Sequence, residues 1–264
     1  MSYTPFERGK AMKQTKAELA ARLTIESLPR SASYDPVWML ESVMGPNVLW
    51  LTEALSQVID LQPGMRVLDL GCGKAASSIF LAQEFQLQIW ATDLWISASD
   101  NWQRFCTANM QHQVFPIHAE AHALPFADGF FDALVSMDAY HYFGTDDLYL
   151  GYASRFVRPG GLLAIVVPGV QHELNGEVPT HLAEHWSWDW WSFHSPDWWR
   201  QHWQKTGLVE VDNADMIPDG WKHWLKWLEV CRDAGYPTSP EEIDMLHSDA
   251  GRTLGFTRLV AHKK

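Results

Sequence analysis

The sequence predicts an α/β protein with a seven-stranded, mostly parallel sheet flanked by helices, and three observations support this prediction. After residue 62, short aliphatic segments alternate with segments of helical period, which is the pattern of βαβ units. The first of these segments runs into the sequence Gly71-Cys72-Gly73 and then into a helical stretch. The composition, 47% hydrophobic and 20% charged in 264 residues, is typical of a globular protein with a substantial core.

The first two regions of the chain are a helical preface and the main part of the sheet. Residues 1–62 form the preface, with helices predicted at 10–30 and 48–59. Residues 63–169 form the core, with strands at 66–70, 88–92, 114–117, 133–136 and 162–167 and helices near 77–85, 97–110 and 146–156. Pro159-Gly160-Gly161 is predicted to be a turn that starts the fifth strand.

The last two regions are an excursion from the sheet and its completion. Residues 170–207 form an aromatic, His-rich segment without period, followed by a helix that begins at Ser195-Pro196. Residues 208–264 complete the sheet with strands at 208–216 and 253–261, between which lie helices at 219–234 and 239–248.

Charge and cysteine usage restrict the function classes. The net charge of −12 gives a field that repels nucleic-acid backbones and anionic lipid surfaces. Cys72, Cys106 and Cys231 lack the paired spacing of zinc sites or redox pairs. The first 14 residues lack an apolar leader segment, and the longest apolar run, 162–167, is too short to span a membrane. We therefore expect a cytoplasmic protein with no nucleic-acid partner and no integral membrane association.

The glycine-rich loop at 71–73 and the end of the second strand predict a bound adenosine. Glycine allows a sharp turn and lets a ligand approach the amides at the start of the following helix. Asp93 ends the second strand, where a carboxylate can accept hydrogen bonds from both hydroxyls of a ribose. Together they predict an adenosine-type cofactor.

Asp69 favours one cofactor of this type. A carboxylate beside this turn opposes a pyrophosphate by about 1 kcal/mol or more at short range. S-adenosylmethionine (SAM) carries no phosphate and presents an ammonium and a sulfonium, which a carboxylate attracts. Asp69 therefore favours SAM over a dinucleotide. The alternative is that its carboxylate only caps the amides of the turn.

Several motifs taken together resemble one enzyme family. They are Val67-Leu-Asp-Leu-Gly-Cys-Gly73, the acidic strand end at Asp93, and the segments 119–126, 128–137 and 158–161. On these residues the chain resembles the class I, Rossmann-like SAM-dependent methyltransferases, in their small-molecule branch. The resemblance covers residues 63–168, and the strands at 208 and 253 fit the last two of that fold.

The resemblance implies how SAM, and its product S-adenosylhomocysteine (SAH), would be held. Asp69 would lie near the amino group of the methionine part, Asp93 at the ribose, and Leu94 or Trp95 on the adenine. Glu120-Ala121 stands where the family usually has an Asp-Ala pair that accepts from the adenine amino group. The cofactor-binding residues implied are Asp69, Gly71, Cys72, Gly73, Asp93, Leu94, Trp95, Glu120, Ala121, Met137 and Asp138.

The residues after the fourth strand, 136–143, face the methyl group in this fold. His141 is the candidate general base because an imidazole titrates near neutral pH, and Tyr140 is the second catalytic candidate. Asp138 or Tyr140 could line the methionine or acceptor pocket. The alternative for His141 is a structural bond to a backbone carbonyl.

Ten of the 15 tryptophans fall between residues 186 and 227. Trp221, Trp224 and Trp227 follow helical spacing, which predicts a packing face. Trp188 and Trp191, with His194, lie in the segment without period and are predicted to form a lid that offers aromatic faces to a cationic or planar substrate.

The histidines of the same segment do not predict a metal site. His181 and His185 are four residues apart, but no HExxH motif is present. No metal is therefore predicted.

The leading hypothesis is a SAM-dependent methyltransferase that transfers a methyl group to N, O or C of a small-molecule acceptor by in-line displacement. The fourth strand does not end in the Asn/Asp-Pro-Pro-Tyr sequence of nucleic-acid amino methylation. Two alternatives remain open: cyclopropane synthase-like methylene transfer to a lipid, and a non-catalytic SAM-binding or interaction protein. The sequence identifies neither the acceptor nor the oligomeric state.

Overall fold

The computed structural model describes residues 14–264 and contains a single mixed sheet of seven strands. The strands are β1 (Arg66–Leu70), β2 (Gln88–Asp93), β3 (Val114–His118), β4 (Phe131–Met137), β5 (Val157–Val170), β6 (Val209–Met216) and β7 (Leu254–Lys263). Their order is β3-β2-β1-β4-β5-β7-β6. The first five are parallel, and β7 runs antiparallel to both β5 and β6. The predicted α/β fold with a mostly parallel sheet is confirmed.

Helices cover both faces of the sheet. They are α1 (Lys16–Leu23), α2 (Pro36–Glu41), α3 (Val48–Ser56), α4 (Ala76–Phe85), α5 (Ala98–Thr107), α6 (Tyr149–Ser154), α7 (Pro196–Gln204), α8 (Gly220–Ala234) and α9 (Pro240–Asp249), with short 3-10 turns at Ser31–Ser33, Tyr140–Tyr142 and Trp188–Ser192. Side chains alternate along a strand, so neighbouring residues of β1 pack on opposite faces of the sheet. Val67 packs in the hydrophobic cluster that contains residues of α3, α4, α8 and α9, and Leu68 packs in the cluster that contains residues of α6 and α7.

The helical preface differs from the prediction in length and number of helices. The helix expected at 10–30 extends only over Lys16–Leu23, and residues 10–13 lie outside the described part of the chain. Thr15 and Glu18 form a capping box that fixes its start. Helix α2 was not predicted, although Asp35 caps it and Pro36 occupies its first turn.

The turn predicted at Pro159-Gly160-Gly161 is a bulge within β5. Phe131 pairs with Val157, and the next pair is Ala133 with Leu162, so four residues of β5 loop out against one of β4. A Cβ atom on Gly161 would lie 2.5 Å from Val157 Cγ1, so the bulge requires glycine there. The strand therefore begins five residues before the predicted start at 162.

Four tryptophans of the cluster between residues 186 and 227 are packing residues. Trp199 and Trp203 of α7 are fully buried against the sheet. Of the predicted packing stripe in α8, Trp224 and Trp227 are buried on the other face, whereas Trp221 is only partly buried. None of the helices in residues 14–264 has the length and apolar character needed to cross a membrane.

Candidate functional site

A cavity of about 340 Å³ opens at the carboxyl ends of β1, β2 and β4, which is where open parallel sheets bind ligands. Five stretches of chain form its wall: the segment from Ser42 to Val48, the glycine-rich loop, the turn after β2, residues 119–122 after β3, and the turn after β4. Predicted cofactor residues on the wall are Gly71, Cys72, Gly73, Asp93, Leu94, Trp95, Glu120, Ala121, Met137 and Asp138.

The glycine-rich loop is determined by backbone geometry. Gly71 and Gly73 have φ angles of +76° and +53°, in the left-handed region that glycine adopts without strain. A Cβ atom on Gly71 would lie 2.3 Å from Cβ of Ala139. The amides of Gly71 and Cys72 donate to the carbonyl of Thr92 at 2.8 and 3.0 Å. The loop therefore needs glycine both for its conformation and for its close approach to the turn after β4.

Asp93 connects the loop to the end of β2. Its Oδ2 accepts from the amide of Gly73 at 2.8 Å, and its Oδ1 accepts from the amides of Trp95 and Ile96 at 2.8 and 2.9 Å. A carboxylate has about four acceptor positions, so Oδ2 retains capacity toward the cavity that it lines.

Asp69 does not lie on the cavity wall, so the direct contact expected with the amino group of SAM is corrected. Its side chain is fully buried, and Oδ2 accepts from the hydroxyls of Ser77 and Ser78, both at 2.6 Å. Burial raises the pKa of Asp69 to about 6. The alternation of β1 directs this side chain toward α4, so the carboxylate anchors the first turn of that helix behind the loop.

The rim on the side expected for adenine is aromatic and acidic. Leu94 and Trp95 are exposed at this edge. Glu120 accepts from both the amide and Nδ1 of His122 at 2.8 Å, and the side-chain bond from His122 lowers the pKa of Glu120. The contacts expected for these residues with adenine stay predictions.

Asp138 is the strained residue of the site. It has a φ of +55°, which costs a non-glycine residue about 1–2 kcal/mol. Its amide donates to the carbonyl of Val166 at 2.8 Å, which holds the turn against β5. Burial raises the pKa of Asp138 well above its usual value. Strained residues of this kind concentrate at functional sites.

Neither predicted catalytic residue lies on the cavity wall. Tyr140 is fully buried on the opposite face of the sheet, with its ring 5.5 Å from that of Tyr149 and 5.6 Å from that of Trp203. Because this position is a packing position, the catalytic assignment of Tyr140 is corrected. His141 points to the other side, 5.7 Å from the ring of Phe193. It is only 2% exposed, and burial lowers its pKa to about 3.

The predicted lid residues do not cover this cavity. Trp188 is 85% exposed and Trp191 is 44% exposed, with the ring of Trp191 packed against that of Trp186. His194 stacks on Trp198 at 3.6 Å and bonds Glu173 through Nδ1 at 2.8 Å. The 3-10 turn at 188–192 thus packs on its own aromatic neighbours, and the lid role of these three residues over the acceptor stays a prediction.

The segment from Ser42 to Val48, which lies across the loop, was not predicted to be part of the site. Lys74 Nζ donates to the carbonyls of Glu41 and Val43 at 2.8 and 3.1 Å. A Cβ atom on Gly73 would lie 2.8 Å from Sδ of Met44. The only signal was Pro46-Asn47, which predicted the start of α3 but gave no indication of where the preceding residues lie.

The histidines and acids of the described residues do not form a group of three placed to hold a metal ion. His181 bonds the buried carboxylate of Asp249 through Nε2 at 2.9 Å. Asp249 also accepts from the amides of Thr253 and Leu254. His181 therefore has a structural partner that ties the aromatic segment to the end of α9.

Comparisons with known proteins agree with the fold. A family model described as a methyltransferase domain matches residues 67–161. The chain is 30% identical over 191 residues to 2-methyl-6-phytyl-1,4-hydroquinone methyltransferase of Synechocystis sp., covering 67% of this chain and 58% of that protein. It is 31% identical over 121 residues to 27-O-demethylrifamycin SV methyltransferase of Amycolatopsis mediterranei, covering 44% and 43%. The chain thus spans about half the length of these relatives.

Solved structures share the architecture at low identity. Geranyl diphosphate C-methyltransferase from Streptomyces coelicolor, in complex with Mg²⁺, geranyl diphosphate and SAH, has a TM-score of 0.66 at 15% identity, covering 81% of this chain and 77% of that one. Phosphoethanolamine N-methyltransferase 2 from Haemonchus contortus, in complex with SAM, has a TM-score of 0.66 at 21% identity, covering 86% and 55%. The chain therefore shares the fold of these methyltransferases.

Proposed function

We propose that the protein binds SAM in the cavity at the ends of β1, β2 and β4 and transfers its methyl group to a small-molecule acceptor, releasing SAH. The observation that carries this proposal is the glycine-rich loop bonded to Asp93 on the cavity wall. Two architectural neighbours, one crystallised with SAH and one with SAM, support the same cofactor.

The wall offers a partner for each part of SAM. The turn of Gly71 and Gly73 leaves room for the methionine part beside Met137 and Asp138, and Asp93 Oδ2 faces the ribose position. Leu94 and Trp95 supply apolar surface for the adenine at the rim. Methyl transfer from a sulfonium needs alignment and exclusion of water more than activation by the protein, and the segment from Ser42 to Val48 provides a cover for that purpose.

A small acceptor fits the charge and the relatives. The net charge of −12 disfavours a nucleic-acid substrate, and it is consistent with the cytoplasmic location that we propose. The curated relatives are named for a hydroquinone and a rifamycin, which are small molecules. They differ too much from each other to indicate one acceptor.

Calorimetric titration with SAM, SAH and NAD tests the cofactor. We expect SAM and SAH to bind and NAD to bind much more weakly or not at all. Asp93→Asn should weaken SAM binding about 10–100-fold, because an amide has one acceptor oxygen in place of two and presents donors to the loop amides. Asp100→Asn, on the exposed first turn of α5, is the matched control and should bind SAM normally. Binding of NAD without SAM would overturn the proposal.

A further inference from the structure

Both polar backbone atoms of Gly73 are held by side chains. Its amide donates to Oδ2 of Asp93 at 2.8 Å, and its carbonyl accepts from Nδ2 of Asn101 at 2.9 Å. Asp93 ends β2, whereas Asn101 belongs to α5. The glycine-rich loop is therefore fixed from two directions, and one of them is a helix that does not line the cofactor cavity.

These bonds close a ring through the start of α5. Oδ1 of Asp93 accepts from the amides of residues 95–96, and the next residue, Ser97, caps α5. The carbonyl of Ser97 accepts from the amide of Asn101 at 3.1 Å. The side chain of Asn101 then returns to Gly73. The positions of the loop, the end of β2 and the first turn of α5 are thus coupled to one another.

Arg104 determines which way round the amide of Asn101 lies. It is one turn further along α5, and its Nη1 donates to Oδ1 of Asn101 at 3.1 Å. A guanidinium group has donors and no acceptor, so it bonds the oxygen of the amide and leaves the nitrogen for the carbonyl of Gly73. The reverse orientation would place two oxygens against each other at Gly73.

Asn101 is buried in α5, where a polar side chain is unfavourable unless it is bonded. The buried residues of this helix are Asn101 and Phe105, and Asn101 is only 2% exposed. Asparagine is a weaker helix former than alanine or leucine, and its amide loses contact with water on burial. The bonds with Gly73 and Arg104 replace that contact.

We propose that Asn101, oriented by Arg104, is a positioning residue for the methyl donor. It holds Gly73 so that the amide of Gly73 keeps Oδ2 of Asp93 at the ribose position of SAM. Neither Asn101 nor Arg104 lines the cavity, so both act through Gly73 and Asp93. The inference rests on the proposed function, because it assigns residues that set the affinity for the cofactor proposed there.

The effect on affinity arises from order in the loop before the cofactor binds. Gly73 has a φ of +53°, and glycine has more conformational freedom than any other residue. Two side-chain bonds restrict that freedom in the free protein, so SAM does not have to order the loop when it binds. Loss of one bond should therefore weaken binding although no contact with SAM is removed.

Calorimetric titration with SAH tests the role of Asn101. Asn101→Asp keeps the size of the side chain and an oxygen for Arg104, but it presents an acceptor to the carbonyl of Gly73. We expect it to bind SAH about 10-fold more weakly than wild type. Gln103→Glu makes the same change from amide to carboxylate on the exposed side of α5 and should bind SAH normally. Wild type is titrated first, so a failure of the proposed cofactor appears there as the absence of SAH binding.

A double-mutant cycle separates positioning from a general structural role. In the Asp93→Asn background, Asn101→Asp should weaken SAH binding by less than about threefold, because the carboxylate through which Asn101 acts has already been changed. A residue that only supports the fold would weaken binding by the same factor in both backgrounds. Urea unfolding without ligand measures the free energy of unfolding of each variant and shows that the titrated protein is folded.

Arg104 provides a second test at a partly exposed position, where a substitution should leave the fold intact. Arg104→Met removes the donors and keeps most of the apolar stem, so SAH binding should weaken about fivefold. Arg104→Lys keeps a cationic donor and should bind SAH within about twofold of wild type. If Asn101→Asp does not fold, Arg104→Met takes its place in the cycle with Asp93→Asn.

Three results would overturn the inference. The first is an SAH affinity within about twofold of wild type in both Asn101→Asp and Arg104→Met. The second is an equal loss of affinity in Asn101→Asp and Gln103→Glu. The third is the same factor of loss in the wild-type and Asp93→Asn backgrounds, since the bond to Gly73 would then act independently of Asp93.

Discussion

The two sides of the proposed active site are built in different ways. The cofactor side, within residues 67–161, depends on backbone: two glycines at positive φ and amides bonded to Asp93 and Thr92. The opposite side, the segment from Ser42 to Val48, depends on contacts with residues far along the chain. Lys74 Nζ bonds the carbonyls of Glu41 and Val43, and Trp227 Nε1 bonds the carbonyl of Gly45. The family model matches the first side and does not reach this segment. Recognition by backbone therefore leaves a local sequence pattern, whereas contacts assembled from distant residues do not.

The largest effect should come from breaking the backbone of the cofactor side. Gly71→Ala places a Cβ atom 2.3 Å from Ala139 at a φ of +76°. We expect a loss of about 2–4 kcal/mol in the free energy of unfolding and at least about a 100-fold loss of SAM affinity. Gly151→Ala in α6, whose new Cβ would lie 3.7 Å from Leu208, is the control. Normal SAM binding by Gly71→Ala, measured by calorimetry, would contradict a backbone-determined site.

The second prediction concerns the buried charge behind the loop. The pKa of Asp69 is raised from 3.8 to about 6, so the folded state holds this proton more tightly than the unfolded state does. Wild type should therefore lose stability relative to Asp69→Asn as pH rises from about 4 to about 6, by about 3 kcal/mol in total. Asparagine keeps an oxygen for Ser77 and Ser78, and all other titrating groups cancel in the difference.

Urea unfolding of the two proteins at several pH values measures that difference. Parallel stability curves for wild type and Asp69→Asn would mean that Asp69 has the same pKa in the folded and unfolded states. The carboxylate would then be ionised in the folded protein above about pH 4 and would act through its charge on the loop, as predicted from the sequence.

The smallest effect should come from the exposed tryptophan of the 3-10 turn at 188–192. Trp188 is 85% exposed, so Trp188→Ala should change the free energy of unfolding by less than about 0.5 kcal/mol. SAM affinity, measured by calorimetric titration, should stay within about twofold of wild type, because Trp188 does not line the cofactor cavity. A larger loss of SAM affinity would contradict that position.

The sequence was sufficient for the strands and for the ring of residues on the cofactor wall. The seven strands follow from alternation and glycine turns, which are local properties of the chain, whereas the ten residues found on the cavity wall were implied by the resemblance to the methyltransferases. Asp69 was misplaced because strand alternation alone does not show which neighbour a buried carboxylate meets; Ser77 and Ser78 come from the next helix. Tyr140 and His141 are adjacent in sequence, but one 3-10 turn directs them to opposite faces.

The contact between α8 and α9 could not be predicted because its partners meet only in the folded chain. Trp224 Nε1 of α8 donates to Glu242 of α9, so one bond links the two helices. Trp224 follows a packing stripe and is buried as expected. Helical spacing indicates burial and carries no information about such a bond.

The two bonds from Lys74 to the carbonyls of Glu41 and Val43 join the glycine-rich loop to the cover above it. We expect SAM to enter and leave the cavity only when these two bonds open together. The residence time of bound SAM would then depend on residues 41–43 as much as on the contacts of SAM itself. The rate at which bound SAM exchanges with free SAM would then measure the opening of this N-terminal segment.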